Sequence, residues 1–275
     1  MVVDLDAVLA EELSRWPAGA AAVVVLDVEG VRGRAGQDES HPWASVTKLL
    51  SALAVLVAAH DDLVDLDEPA GPPGSTVRHL LAHASGLAFD SDRLMAPPGE
   101  RRVYSNRGIE VLAEHVAGRV GQPFEELVVG TVLEPLGMRR TRLEGSAAHG
   151  ARGPVDDLAL LAHELLRPTR LDAGMLGDAT RTAFPGLDGL LPGFGRQRPN
   201  DWGLGFEIRG HKDPHWTSPA NAPTTFGHFG QSGAFVWVDP EAGLACAAAG
   251  ENDFGPWAAD AWPRLSTRVL AAAGR

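Results

Sequence analysis

Residues 49–59 read Leu-Leu-Ser-Ala-Leu-Ala-Val-Leu-Val-Ala-Ala, with Ser51 the single polar side chain. Leucine and alanine favour helix, and a helix of this composition is apolar on every face. The run is far too short to cross a bilayer, which takes about 20 residues. It therefore has to be a helix buried on all sides, and the rest of the chain must supply its walls. Immediately before it stands Trp43-Ala44-Ser45-Val46-Thr47-Lys48. Ser45 and Lys48 are three apart, so on a helix they share one face. A hydroxyl is a weak nucleophile, and a desolvated amine beside it can take its proton. The start of a helix adds N–H groups and a dipole end that favour anionic oxygen. An N-cap followed by a surface lysine has the same spacing, so the remaining chain must decide between the two.

The walls are drawn from both ends of the chain. Leu5, Val8, Leu9, Leu13 and Trp16 predict an opening helix capped by Asp4 and stopped by residues 17–19. Residues 20–26 and 31–35 predict two strands about a Glu29-Gly30 turn. Sheet character returns after Gly203: residues 203–209 alternate, and 234–239 and 244–249 predict an antiparallel pair about a turn at 240–243. A last helix follows Gly255-Pro256, with Trp257, Ala261, Leu265, Val269 and Leu270 apolar, and Pro263 is expected to kink it. The middle is helical. A short helix is predicted over 76–82, a stripe from Ile109 to Val120, a helix over 124–136 closed by Gly137, and another over 156–166. Residues 167–201, rich in Gly and Pro, read as a loop-dominated cap with one short helix. The simplest packing is α+β, a single domain over 1–275. One antiparallel sheet is built from both chain ends, about 1–44 and 202–275, and faced by the terminal helices; a mainly helical part, about 45–201, is inserted. Ser45 then falls at the junction, where clefts form.

A net charge of −12 argues against nucleic acid or an anionic membrane as a partner. Cys246 is the one cysteine, so no internal disulfide is possible, and its Leu-Ala-Cys-Ala-Ala-Ala setting predicts a small buried side chain. The opening Met1-Val-Val-Asp-Leu-Asp has no basic n-region and is not read as a signal peptide, so a cytoplasmic location is expected. His79 and His83, four apart, have zinc-ligand spacing but no third ligand, and are expected to be structural. No metal and no cofactor are expected.

Two other stretches carry chemistry. Tyr104-Ser105-Asn106 contains the only tyrosine. A phenol can shuttle a proton when a cation such as Lys48 stands near, and the Asn106 amide can bind both a lysine and a substrate carbonyl. The alternative is a packing tyrosine with one hydrogen bond. Gly227-His228-Phe229-Gly230-Gln231-Ser232-Gly233 precedes an apolar strand. Its glycines let backbone approach a ligand closely, and His228 can bond a substrate carboxylate or orient the tyrosine. The alternative is a tight bulge with a surface histidine.

Ser-x-x-Lys, Tyr-x-Asn and His-x-Gly before a strand, in this order, resemble the penicillin-recognising serine hydrolases. Within them the chain is most similar to the branch of class C β-lactamases, D-alanyl-D-alanine carboxypeptidases and related esterases. The likeness runs through nearly the whole chain. It includes Ala44-Ser-Val-Thr-Lys48, His79-Leu-Leu-Ala-His-Ala-Ser-Gly-Leu87, Pro98-Gly99, Pro135-Leu-Gly-Met138, Asp157-Leu-Ala159, Trp202-Gly-Leu-Gly205 and Gly227-His-Phe-Gly230. The resemblance implies a β-lactamase/transpeptidase-like fold and assigns roles. Ser45 would carry the acyl group, and Lys48 would accept or relay its proton. Tyr104 would be base and then acid, with the choice of acylation base between Lys48 and Tyr104 left open. Asn106 would hold Lys48 and the substrate amide. His228, Gly230 and Gln231 would line the substrate, with the N–H groups of Ser45 and Gln231 as the oxyanion hole.

The departures matter as well. The strand region before Ser45 and the loop after Gly145 look trimmed, which implies an open cleft. Gln231 is bulkier than the residue usual there. His228 stands where many relatives carry lysine, and a neutral imidazole holds a carboxylate weakly. The expected activity is hydrolysis of a small-molecule ester, amide or lactam through an acyl-enzyme on Ser45, most simply by a β-lactamase-related esterase. The alternatives are a true β-lactamase or D-amino-acid peptidase, and an inactive binding protein with the same fold.

Overall fold

The computed structural model describes residues 4–275; residues 1–3, on which the leader expectation partly rests, lie outside them. Helix α1 (Leu5–Leu13) is capped by Asp4, whose carboxylate accepts from Ala7 N–H at 3.4 Å. It ends one turn before Trp16. Strands β1 (Ala21–Asp27) and β2 (Gly30–Gly36) form the expected hairpin. Its turn is fixed by the Asp27 carboxylate, which accepts from Glu29 N–H at 2.9 Å and Gly30 N–H at 3.2 Å. A two-residue strand, β3 (His41–Pro42), leads into a 3-10 turn, Ala44–Val46, and then α2 (Thr47–His60). Every residue of α2 from Thr47 to Ala58 is buried, as its composition requires.

The helical part follows. α3 (Val77–Leu81) is capped by Thr76, and α4 (Asn106–Val120) by Ser105, whose Oγ accepts from Gly108 N–H at 2.8 Å. The helix predicted over 124–136 is interrupted. α5 (Phe124–Val128) widens into a π turn over Val129–Leu133 before α6 (Glu134–Leu136). Pro135 has no N–H to give to the turn before it, so the regular ladder cannot continue there. Strands β4 (Arg142–Leu143) and β5 (Ala151–Gly153) join β3 in a small sheet of order β3-β5-β4. Helices α7 (Val155–Leu166) and α8 (Ala173–Ala179) come next. The cap then holds a hairpin that periodicity did not reveal, β6 (Gly189–Leu191) with β7 (Gly195–Gln197).

Four strands and a helix complete the chain: β8 (Glu207–Ile208), β9 (Phe226–Phe229), β10 (Phe235–Asp239), β11 (Leu244–Gly250) and α9 (Pro256–Ala272). Two expectations are corrected here. Of the alternating stretch 203–209 only β8 is strand. Gly203 N–H donates to Phe206 O, and Gly205, at φ +88°, turns the chain against α2, where a Cβ would lie 2.2 Å from that of Ala52. The glycine-rich stretch before β10 begins as a strand, β9, and turns only from Gly230 on. Helix α9 runs through Pro263 without ending.

The main sheet is antiparallel, in the order β2-β1-β11-β10-β9-β8, so strands from both chain ends meet at its centre. Side chains alternate between its two faces. Val23, Val25, Trp237 and Cys246 meet Leu9 of α1 and Trp262 and Leu265 of α9. Val24, Leu26, Val236 and Val238 join the core that surrounds α2 and α7. Because both faces are covered, β1 is apolar without interruption instead of alternating. Cys246 is buried, as expected. Among the described residues no helix is long and apolar enough to cross a membrane.

Candidate active site

Ser45 sits in the 3-10 turn, one residue ahead of α2 proper. Trp43 anchors that turn: its indole Nε1 donates to Gly153 O at 2.9 Å and its backbone N–H to Ala151 O at 2.9 Å. Ala44 adopts φ +44°, a conformation alanine rarely takes, which the surrounding packing has to enforce. The two predicted residues still meet, with Lys48 Nζ 3.1 Å from Ser45 Oγ.

Lys48 is 1% exposed and has three neighbours for its nitrogen. These are Ser45 Oγ, Asn106 Oδ1 at 2.7 Å and Ala148 O at 2.9 Å. Burial pulls its pKa down to about 7, with the negative charge of Glu110 working in the other direction. Charged and neutral lysine are therefore both populated near neutrality. The two carbonyl oxygens can only accept, so they fix two of the N–H bonds. The remaining direction faces Ser45. It holds a proton in the ammonium and a lone pair in the amine.

Tyr104 donates its hydroxyl to Ser45 Oγ at 2.7 Å. Burial raises its pKa, so it is a phenol throughout the working range. The ring is clamped by His83 at 4.7 Å between centroids, Trp202 at 5.7 Å and His228 at 5.8 Å. The segment before it is pinned by Arg102, whose buried guanidinium donates to Ala82 O and Ala183 O at 2.6 Å and to Asn200 O at 3.1 Å. His83 and His79 do not share a helical face. His79 Nδ1 is 2.9 Å from Thr76 Oγ1 on α3, whereas His83 lies past its end at φ +53° and accepts from Ser105 N–H at 3.3 Å.

His228 on β9 gives its Nδ1–H to Phe229 O at 2.7 Å, which leaves Nε2 as a lone pair 3.5 Å from the Tyr104 hydroxyl. Burial drops its pKa to about 3, and the nearby Lys48 adds to the effect. Gly230 lies against the turn that carries Ser45, where a Cβ would come 2.2 Å from Trp43 O and 3.2 Å from Ala44 Cβ. The Gln231 side chain turns away to Phe254 O at 3.1 Å. Its backbone N–H and that of Ser45 have no protein acceptor among the described residues. Ser45, Lys48, Tyr104 and Asn106 thus form one bonded cluster, with His228, Gly230 and Gln231 along its edge.

Ser45, Tyr104, His228 and Gln231 open on a cavity of about 110 Å³. Phe89, Leu191, Pro192, Trp202 and Glu207 also line it, and none was singled out from the sequence as a site residue. Leu191 and Pro192 belong to the unforeseen β6–β7 hairpin. Glu207 is 1% exposed, and its carboxylate is already occupied by Lys212, by His215 Nε2 at 3.0 Å and by Trp216 Nε1 at 2.9 Å. His215 is thus part of a buried cluster with Glu207 and Lys212. A larger depression, about 340 Å³, lies between α1 and the end of α9, but its polar lining is Asp4, Asp6, Asp27, Arg32 and Arg275, with no nucleophile.

Comparison with known proteins gives four matches of note. A family model described as Beta-lactamase matches residues 5–267. A solved structure from Mycobacterium bovis, described as a beta-lactamase, is 55% identical, covers 96% of this chain and 98% of its own, and superposes with a TM-score of 0.94. Two curated relatives are more distant. A beta-lactamase of Pseudomonas fluorescens is 25% identical over 54% of this chain and 53% of its own length. A D-alanyl-D-alanine-carboxypeptidase/endopeptidase of Escherichia coli is 25% identical over 36% and 35%. The matched part of this chain thus spans about half the length of the curated relatives, or less.

Proposed function

This chain belongs to the Beta-lactamase family, whose members are serine hydrolases, and we propose that it cleaves uncharged carboxylic esters through an acyl-enzyme on Ser45. Neutral Lys48 takes the Ser45 proton as Oγ attacks the ester carbonyl. The carbonyl oxygen, now negative, lies between the N–H groups of Ser45 and Gln231. As the C–O bond to the alcohol breaks, Tyr104 gives its proton to the leaving oxygen and is restored by the proton held on Lys48. Water then attacks the acyl-enzyme by the reverse sequence, releasing the carboxylic acid and free Ser45. Lys48 is favoured over Tyr104 as the base because its pKa lies near neutrality while that of the phenol is raised by burial.

The preference for uncharged substrates rests on His228. A carboxylate needs a cation, and this imidazole is neutral with only a lone pair toward the cavity. Losing one partner of a buried charge pair costs about 2–5 kcal/mol, or roughly 30-fold to well over 10³-fold in specificity. Accordingly, kcat/KM for a p-nitrophenyl ester is expected to exceed that for a cephalosporin by at least about 30-fold. A clear preference for the cephalosporin overturns the reading. Mass spectrometry after fluorophosphonate treatment separates enzyme from inactive binder, since a live nucleophile gains the adduct on Ser45.

Gly230 provides a second check. The turn carrying Gln231 N–H can touch the Ser45 turn only because residue 230 has no side chain. Gly230→Ala is expected to lower kcat/KM on the same ester by about 10²-fold, the loss that follows a misplacement of about 1 Å. Ester kinetics alongside thermal unfolding measure it, and wild-type kinetics in this variant would show that the close approach is dispensable.

A further inference from the structure

The loop between β4 and β5 is tied to the site by contacts that no step above uses. It closes on itself, with Gly150 N–H donating to Ser146 O at 2.7 Å and Glu144 N–H to Gly150 O at 3.1 Å. Ser51, three residues beyond Lys48 on α2, donates its hydroxyl to Ala147 O at 2.6 Å. The other end of that same peptide unit, Ala148 N–H, donates to Ser146 Oγ at 3.1 Å. Ser146 Oγ–H donates in turn to Glu110 Oε1 at 2.8 Å. These bonds run head to tail from α2 to α4, an arrangement in which each polarises the next. The peptide plane is held at both ends, and the next carbonyl along, Ala148 O, is the one that accepts from Lys48. Asn106 and Glu110 are four apart on α4, hence on one face. Asn106 reaches Lys48 directly, Glu110 by way of the loop.

We propose that Glu110, acting through Ser146, is a positioning residue for Lys48: it fixes the Ala148 carbonyl so that the free valence of the lysine nitrogen points at Ser45. The inference rests on Lys48 being the base of the proposed reaction. Ala148 is fully buried, whereas the Glu110 side chain is 35% exposed, so the tie reaches a buried atom without burying a charge. The carboxylate also faces Lys48 and partly offsets its desolvation. The other titratable groups around the amine are Tyr104, a phenol, and His83 and His228, both held neutral by burial. Arg107 stands 3.8 Å from Glu110 Oε2 but is bonded more closely to Asp92 and Glu114, at 2.6 and 2.7 Å.

Two substitutions separate position from charge. Ser146→Ala cuts the chain and keeps the carboxylate. It is expected to lower kcat about 5-fold, with KM, the acid limb of the pH profile and the unfolding midpoint all retained. Ser146→Thr, which keeps a hydroxyl, restores kcat. Glu110→Gln keeps an acceptor for Ser146 and removes the charge. It is expected to move the acid limb of kcat/KM down by about half a pH unit, a small change because the carboxylate is partly solvated and Arg107 is near. Glu110→Asp leaves the limb where it is. The substrate is a p-nitrophenyl ester, followed at the isosbestic point of the released phenol. Wild-type kcat in Ser146→Ala, a defect confined to KM, or an unmoved limb in Glu110→Gln overturns the proposal. A wild-type enzyme with no limb near pH 7 is a different failure: it removes Lys48 as the base and takes this inference with it.

Discussion

Replacing Ser45 by alanine is expected to lower kcat/KM for a p-nitrophenyl ester by about 10⁴-fold or more, the scale seen when a serine hydrolase loses its nucleophile. The argument is one of connectivity. Ser45 Oγ is the atom at which the Lys48 amine and the Tyr104 hydroxyl meet, at 3.1 and 2.7 Å. With it gone, both groups keep their other contacts but have no shared atom through which to pass a proton. The substitution removes one oxygen from a half-buried position and opens no space in the core, so the unfolding midpoint should move little. Steady-state rates, thermal unfolding and loss of the fluorophosphonate adduct measure the three consequences. An alanine variant within tenfold of wild type would place the nucleophile elsewhere.

Lys48→Met is expected to lower kcat/KM by about 10²–10⁴-fold, the usual contribution of a positioned general base. The wild-type pH profile gives this prediction its sign. Burial has lowered the lysine pKa to about 7, and in the proposed reaction it is the neutral amine that takes the proton. Activity should therefore rise tenfold per pH unit below about 7 and level off above it, and the methionine variant should lack that limb. Lys48→Arg discriminates further. A guanidinium keeps the charge at every working pH and cannot serve as base, so it should be as impaired as methionine if proton removal is the role. An arginine variant near wild-type activity would show that a fixed positive charge is all the site asks of residue 48.

The bonded cluster was legible in the sequence because its spacing is local or its residue types are scarce. Ser45 and Lys48 are three apart on an unmistakable buried helix, and Tyr104 is the one tyrosine of the chain. The sheet was legible at β1, β10 and β11, where runs of β-branched and small apolar residues carry the signal, and at β2 as the return from the Glu29-Gly30 turn. What escaped were elements defined by tertiary partners. β8 and β9 have two and four residues, too few for a period, and hold their place by pairing Glu207 with Gly227 and Ile208 with Phe226. The β6–β7 hairpin hid among glycines for the same reason, and Leu191 and Pro192 of the cavity wall went with it. Alternation across 203–209 suggested a longer strand, but Gly205 is required as a turn against Ala52. Neither the role of Ala148 nor that of Ser146 has any signature in the sequence, since Ala148 contributes only backbone and Ser146 is one serine among many.

The strand order of the main sheet also bears on how the molecule comes into being. β1 is synthesised long before its partner β11: Ala20 N–H, just ahead of β1, is bonded to the carboxylate of Glu251, 231 residues away. At roughly 5–20 residues per second, the ribosome needs on the order of 10–50 s to cover that interval. For most of it, the valine-rich hairpin is without its neighbour, and the turn bearing Ser45 is without the strand end at Gly230. The proposed site is thus incomplete until Gly230 and Gln231 have been made, and the unpaired edge of β1 is open to wrong pairing in the meantime.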